Sequence, residues 1–143
     1  MTLPAILEGL RLPLIGAPLF IISRPELVIA QCKAGIVGTF PALNAREKDG
    51  ESLEAWIIHI KEELDRHNQA NPDTPAAPFG INQIVHRSNA RLERDVEIAA
   101  RLEVPIWITS LGAREDVYEA AHSGNGIVLH DVINNWFANK AIS

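Results

Sequence analysis

The stretch Pro78-Phe-Gly-Ile-Asn-Gln-Ile-Val-His86 decides how the rest of the chain is read. Residues 78–84 form a short run rich in apolar side chains, without the strict polar alternation of a half-exposed strand. That is the pattern of a strand in a parallel sheet whose faces are covered. The run ends in polar groups, Asn82 and His86, and lies between two helical patterns. Working outward, four more runs of this kind recur, at residues 13–18, 35–40, 104–111 and 126–132. Each is expected to be a strand.

The intervening segments carry helix signals. Ser23-Arg-Pro-Glu26 has the spacing of a capping box, and Gly35 stands where a helix ends on a glycine. From residue 51 to about 68, Leu53, Trp56, Ile57, Ile60 and Leu64 mark one apolar face, with Glu62 and Arg66 spaced to pair outside. Asn71-Pro-Asp73 stops that helix. Ser88 or Asn89 caps the next one, with Leu92, Val96 and Ala99 inward. Residues 114–122 and 134–142 supply two more.

The order is therefore strand then helix, five times, which requires parallel strands joined by right-handed crossovers. Two architectures fit that order. A five-stranded doubly wound sheet suits the length of 143 residues, whereas an eight-stranded barrel usually takes ~250. The chemistry of the strand ends points the other way. The first strand ends in Ala17-Pro-Leu-Phe20, which offers neither a phosphate loop nor a cation site, and no GxGxxG or GxxxxGK[ST] occurs. The last helix also reaches Lys140-Ala-Ile-Ser143 without a stop signal, as though the pattern were cut.

In both architectures ligands sit at the carboxyl ends of the strands. Those ends carry Ala17-Pro-Leu-Phe20, Thr39-Phe-Pro41, Asn82-Gln-Ile-Val-His86, Ser110-Leu-Gly112 and His130-Asp-Val132. Amides, hydroxyls and imidazoles with one carboxylate suit hydrogen bonds to a neutral heterocycle better than metal binding, so no metal is expected. Asn82 either holds two edges of a ring through its donor and acceptor or caps a loop. His130 shares a face with Val128 and either serves a cofactor from a barrel interior or is a buried, hydrogen-bonded imidazole. Adjacent on a strand, His130 and Asp131 face opposite sides.

Thirteen Lys and Arg against eighteen Asp and Glu leave a net charge of -5, which excludes the basic footprint of a nucleic-acid binder. The single cysteine, Cys32, excludes an intramolecular disulfide framework or a multi-cysteine metal site and fits a reducing compartment. With no apolar run near the ~18 residues of a spanning helix and no basic leader, no membrane association is expected. The expected location is the cytoplasm.

Four motifs together resemble the nitronate monooxygenase family, formerly the 2-nitropropane dioxygenases. They are Pro13-Leu-Ile-Gly-Ala-Pro-Leu-Phe20; Ala34-Gly-Ile-Val-Gly38 with Phe40-Pro-Ala-Leu-Asn44; Pro78 to His86 as quoted; and Gly126-Ile-Val-Leu-His-Asp-Val132. The resemblance runs through nearly the whole chain in the family's order. It implies an α/β protein of the (β/α)8 TIM-barrel family, with residues 1–143 forming an incomplete N-terminal portion of about five βα units. It also implies FMN as cofactor and an alkyl nitronate oxidised with dioxygen. The backbone of Ala17, Pro18 and Leu19 would line the flavin, Asn82 would hydrogen-bond its ring, and His130 would sit where the fifth strand meets the cofactor. Many relatives have Lys at that last position. The family's catalytic histidine and phosphate-binding glycines belong to later strands, so no catalytic residue is assigned here, and the chain alone is expected to be inactive. A related FMN barrel reductase, acting on an enoyl-acyl carrier protein or a quinone, and a non-catalytic half barrel are the alternatives. Open sheet edges lead to an expectation of self-association.

Overall fold

The computed structural model describes residues 3–47 and 52–142. A short turn of helix, α1 (Ala5–Glu8), precedes α2 (Pro25–Lys33), β1 (Gly38–Pro41) and a 3-10 turn at Ala42–Asn44. There follow α3 (Leu53–Ala70), β2 (Phe79–Ile84), α4 (Leu92–Arg101), β3 (Ile106–Ser110), α5 (Glu115–Ser123), β4 (Ile127–His130) and α6 (Asn135–Ile142). The four strands are parallel and lie in the order β1-β2-β3-β4. A doubly wound sheet reverses direction partway across; this one runs in sequence order throughout, as barrel strands do.

The expected first strand, residues 13–18, is reduced to one parallel bridge between Ile15 and Val37. Val37 donates to the Leu14 carbonyl at 3.1 Å, and its own carbonyl accepts from Gly16 at 2.7 Å. Pro13 and Pro18 have no N–H to extend the ladder, so pairing stops at its centre. Thr39 Oγ1 donates to the Gly16 carbonyl and fixes this segment beside β1.

Register decides which face each side chain takes. Phe40, Ile81, Trp107 and Val128 form one row across the sheet, and this row packs into Val28, Cys32, Trp56, Ile57, Ile60, Ala99, Val117 and Ala121 of α2 to α5. The next row, Pro41, Asn82, Ile108 and Leu129, points to the opposite face. The apolar core is therefore one layer, between the sheet and its helices. The prolonged apolar runs read as strands covered on both faces, yet none of α2 to α5 contributes to a core on the second face.

Local signals mostly act as read, with instructive exceptions. Gly35 ends α2 with φ +87, a conformation costly for any other residue. Ser52 Oγ accepts from Ala55 N at 3.1 Å and caps α3, while Glu51, where that helix was expected to open, lies outside the described residues. The capping box at α2 does not form, because Ser23 Oγ is occupied in the preceding loop, accepting from Leu19 N at 2.9 Å. Arg66 pairs with Glu63 rather than Glu62. Glu63 also takes Lys33 of α2 at 2.8 Å, and these two cations hold its carboxyl below its ordinary range. In α4 the buried set is Leu92, Asp95 and Ala99, with Val96 only half-buried. Burial pushes the Asp95 carboxyl up, against the pull of Arg91, whose guanidinium lies 3.1 Å away.

Candidate functional site

Three polar side chains, from β2, the end of β3 and the residue after β4, meet on the open face, at the carboxyl edge. Asn82 Nδ2 donates to Ser110 Oγ at 2.8 Å and to the Ile108 carbonyl at 3.1 Å. Ser110 Oγ donates in turn to Asp131 Oδ2 at 2.8 Å. The direction of this chain is dictated by chemistry. The Asn82 amide N–H can only donate, so Ser110 offers it a lone pair and gives its own proton to Asp131. Both N–H donors of the Asn82 amide are then spent within the protein, and the side chain is buried. Of the donor and acceptor expected to hold a ring, the donors are used within the protein.

A second polar clamp shapes the loop at residues 17–22. Asn44 Nδ2 donates to the carbonyls of Leu19 (3.0 Å) and Ser23 (2.9 Å), and its Oδ1 accepts from Ile21 N at 3.0 Å. Ser23 Oγ adds a bond to the Ala17 carbonyl at 3.3 Å. Ser23 and Asn44 are buried, so the loop is held from beneath by groups that cannot exchange their partners for water. This holds Ile21 at φ 67; Leu111, at the end of β3, has the same value. Both are exposed apolar residues in a conformation that glycine prefers, and such strain persists only where surrounding contacts impose it. Ala17, Pro18 and Leu19 lie in this loop, with the backbone of Leu19 committed to Ser23 and Asn44.

His130 goes elsewhere. It is in register with Thr109, which is in register with Gln83, and this row continues the helix-covered face of Ile81, Trp107 and Val128. Thr109 Oγ1 and His130 Nδ1 are 2.8 Å apart. Sharing a face with Val128 holds, but that face is the outer one, so the imidazole is not on the side of Asn82. It borders an open cavity of about 520 Å³ between the end of β4 and α6, together with Leu111, Asp131, Ile133 and Phe137. The partnership of Ser110 and Asp131 with Asn82 was not read from the sequence. All three were visible as strand ends, but their convergence depends on register, which single strands do not state.

Among the described residues no cluster of His, Cys, Asp and Glu is built to hold a metal, and no helix is long and apolar enough to cross a membrane. The groups at the carboxyl edge are an amide oxygen, Asn82 Oδ1, a carboxylate, Asp131, reached through Ser110, and the exposed apolar residues Leu19 and Phe20 of the clamped loop; a ring N–H of a flavin would meet the amide oxygen.

No protein-family model and no curated protein matches the chain. Among solved structures, FabK from Thermotoga maritima matches at 19% identity with a TM-score of 0.75, over 96% of this chain and 39% of that chain. A point mutant of the same protein gives 18% identity and a TM-score of 0.73, over 96% of this chain and 41% of that one. The chain thus spans about two fifths of the length of the structures it resembles. Likeness at this identity is one of fold, and it agrees with the sequential parallel order: the chain has the α/β architecture of part of a TIM barrel.

Proposed function

We propose that this chain is the flavin-facing portion of an FMN-dependent oxidoreductase barrel of the nitronate monooxygenase kind. The observation that carries this reading is the Asn82–Ser110–Asp131 chain, which fixes one amide acceptor at the carboxyl edge where barrel enzymes hold their ligands. Asn82 Oδ1 accepts from a ring N–H, and the clamped loop of Ala17, Pro18 and Leu19 lies along the same edge. Ser110 and Asp131 are positioning residues that keep the amide from turning over. Bound FMN supplies the two-electron chemistry, while the protein orients it and restricts water. The substrate under this reading is an alkyl nitronate, with dioxygen as the oxidant. His130 faces the cavity beside α6 rather than the Asn82 side.

A second reading, an FMN barrel reductase acting on an enoyl-acyl carrier protein or a quinone, is favoured by the fold likeness to FabK. The two are separated by assay of an FMN-loaded whole barrel that contains this unit. Oxygen uptake with an alkyl nitronate and no nicotinamide is expected. NADH oxidation dependent on an enoyl thioester or a quinone would assign the reductase instead, and neither activity would overturn both readings.

A further inference from the structure

The segment of residues 42–46, which follows β1, has partners on two sides. Toward the site, Asn44 holds Leu19, Ile21 and Ser23, and the Arg46 guanidinium stands over the Phe20 ring, 5.7 Å from its centroid. Toward α4, the buried residues Ala42 and Ala45 turn their carbonyls to Arg91. Arg91 Nη1 donates to the Ala45 carbonyl at 2.7 Å, and Nη2 reaches the Ala42 carbonyl at 3.5 Å.

Arg91 is itself fixed at both ends. Its backbone N–H donates to Asn89 Oδ1 at 3.1 Å, and Asn89 Nδ2 donates to the Ile84 carbonyl, at the end of β2, at 3.0 Å. Its guanidinium meets Asp95 Oδ1, about one helical turn further on, at 3.1 Å. Asp95 is buried, and its Oδ2 has no partner among the described residues. Burial favours the neutral carboxyl, which still offers Oδ1 as an acceptor. Asp95 therefore acts on the guanidinium chiefly as an oriented oxygen. A planar fork of donors suits this role, because one group can meet a side-chain oxygen and two backbone carbonyls at once.

We propose that Arg91 is a positioning residue for the loop of residues 17–22, oriented by Asp95 and acting through Ala45 and Asn44. Hydrogen bonds and one short stretch of backbone then join the end of β2 to a loop that no strand ladder holds. The inference concerns the order of the loop and needs no flavin; only the place of the loop beside a flavin rests on the proposed function.

Amide hydrogen exchange in the flavin-free, intact protein that carries this chain tests it, with Ile21 and Ser23 read against Ile57 and Ile81 of the core. Arg91→Ala should speed exchange in the loop about tenfold relative to the core. Asp95→Ala should do so about threefold, and Asp95→Asn, which keeps an acceptor oxygen, should restore most of the protection. Arg101→Ala, which cuts the tie to Glu54 at the other end of α4, should leave the loop unchanged. Loop exchange that Arg91→Ala speeds no more than the core, an equal effect of Arg101→Ala, or an Asp95→Asn variant no better than Asp95→Ala would each overturn the inference. Faster loop exchange in Arg91→Ala with unaltered FMN affinity would uphold it and remove the loop from the flavin site.

Discussion

On the helix-covered side of the sheet, Phe40, Ile81 and Trp107 are fully buried in one row. One residue further along the same strands, the open side carries Pro41, Asn82, Ile108 and Leu129. The covered row is large and apolar; the open row is mixed and leads into Ser110 and Asp131. Alternation along a strand thus separates the two tasks. One set of side chains secures the helices, and the adjacent set is free to be polar because it does not hold the layer together.

The largest effect should come from breaking the covered row. Trp107 is fully buried, with its indole N–H on the Val104 carbonyl at 2.9 Å. Trp107→Ala is expected to cost ~3–5 kcal/mol in urea unfolding, and Leu129→Ala on the open row less than half as much. Equal losses would mean that the two faces share the burden.

A smaller effect is expected from the polar chain. In a flavin-loaded barrel containing this unit, Asn82→Ala should weaken cofactor binding by about 1 kcal/mol, or about fivefold. Ser110→Ala should weaken it less, by freeing the amide to turn over. His59→Ala, in α3, should leave binding unchanged. Fluorescence of released flavin reads all three, and equal release from the Asn82 and His59 variants would remove Asn82 from the site.

An effect absent at neutral pH concerns Cys32, buried under β1 with its thiol 3.5 Å from the Pro78 carbonyl. Burial pushes its pKa from 9.0 up to about 11, against a smaller opposing pull from the Gly38 backbone. Below pH 9 the thiol is protonated in both folded and unfolded chains; between 9 and about 11 only the unfolded chain loses the proton. Stability from this group is therefore full below that window and lost as pH rises through it. Cys32→Ala should flatten that alkaline decline in thermal melts. An unchanged slope would show that the thiol is not shielded as the covered face requires.

The sequence made the repeating strand-helix order legible because Ile and Val runs and helix caps are local signals. Four of five expected strands form, and residues 13–18 shrink to a bridge because prolines interrupt the ladder. Asn82 was legible as a strand-end amide. Its partners were not, since Ser110 and Asp131 lie 28 and 21 residues from the groups they meet. The interior placement of His130 failed for the same reason. Its side of the sheet follows from Thr109 and Trp107 on the neighbouring strand, not from anything next to it in the chain. Asn44 stood within a quoted motif, but its hold on Leu19, Ile21 and Ser23 needed the fold to bring the two segments together.

The most direct measurement is a titration of the isotopically labelled 143-residue chain with lumiflavin and with FMN, followed by amide chemical shifts. Weak binding is expected, with the Asn82 side-chain amide, Ser110 and Leu111 shifting and Trp107 unmoved. FMN should bind no more tightly than lumiflavin, because only the ring side is held. Shifts confined to the helix-covered face, no shift at Asn82, or micromolar FMN binding that depends on the phosphate would contradict a flavin-ring site on the open face.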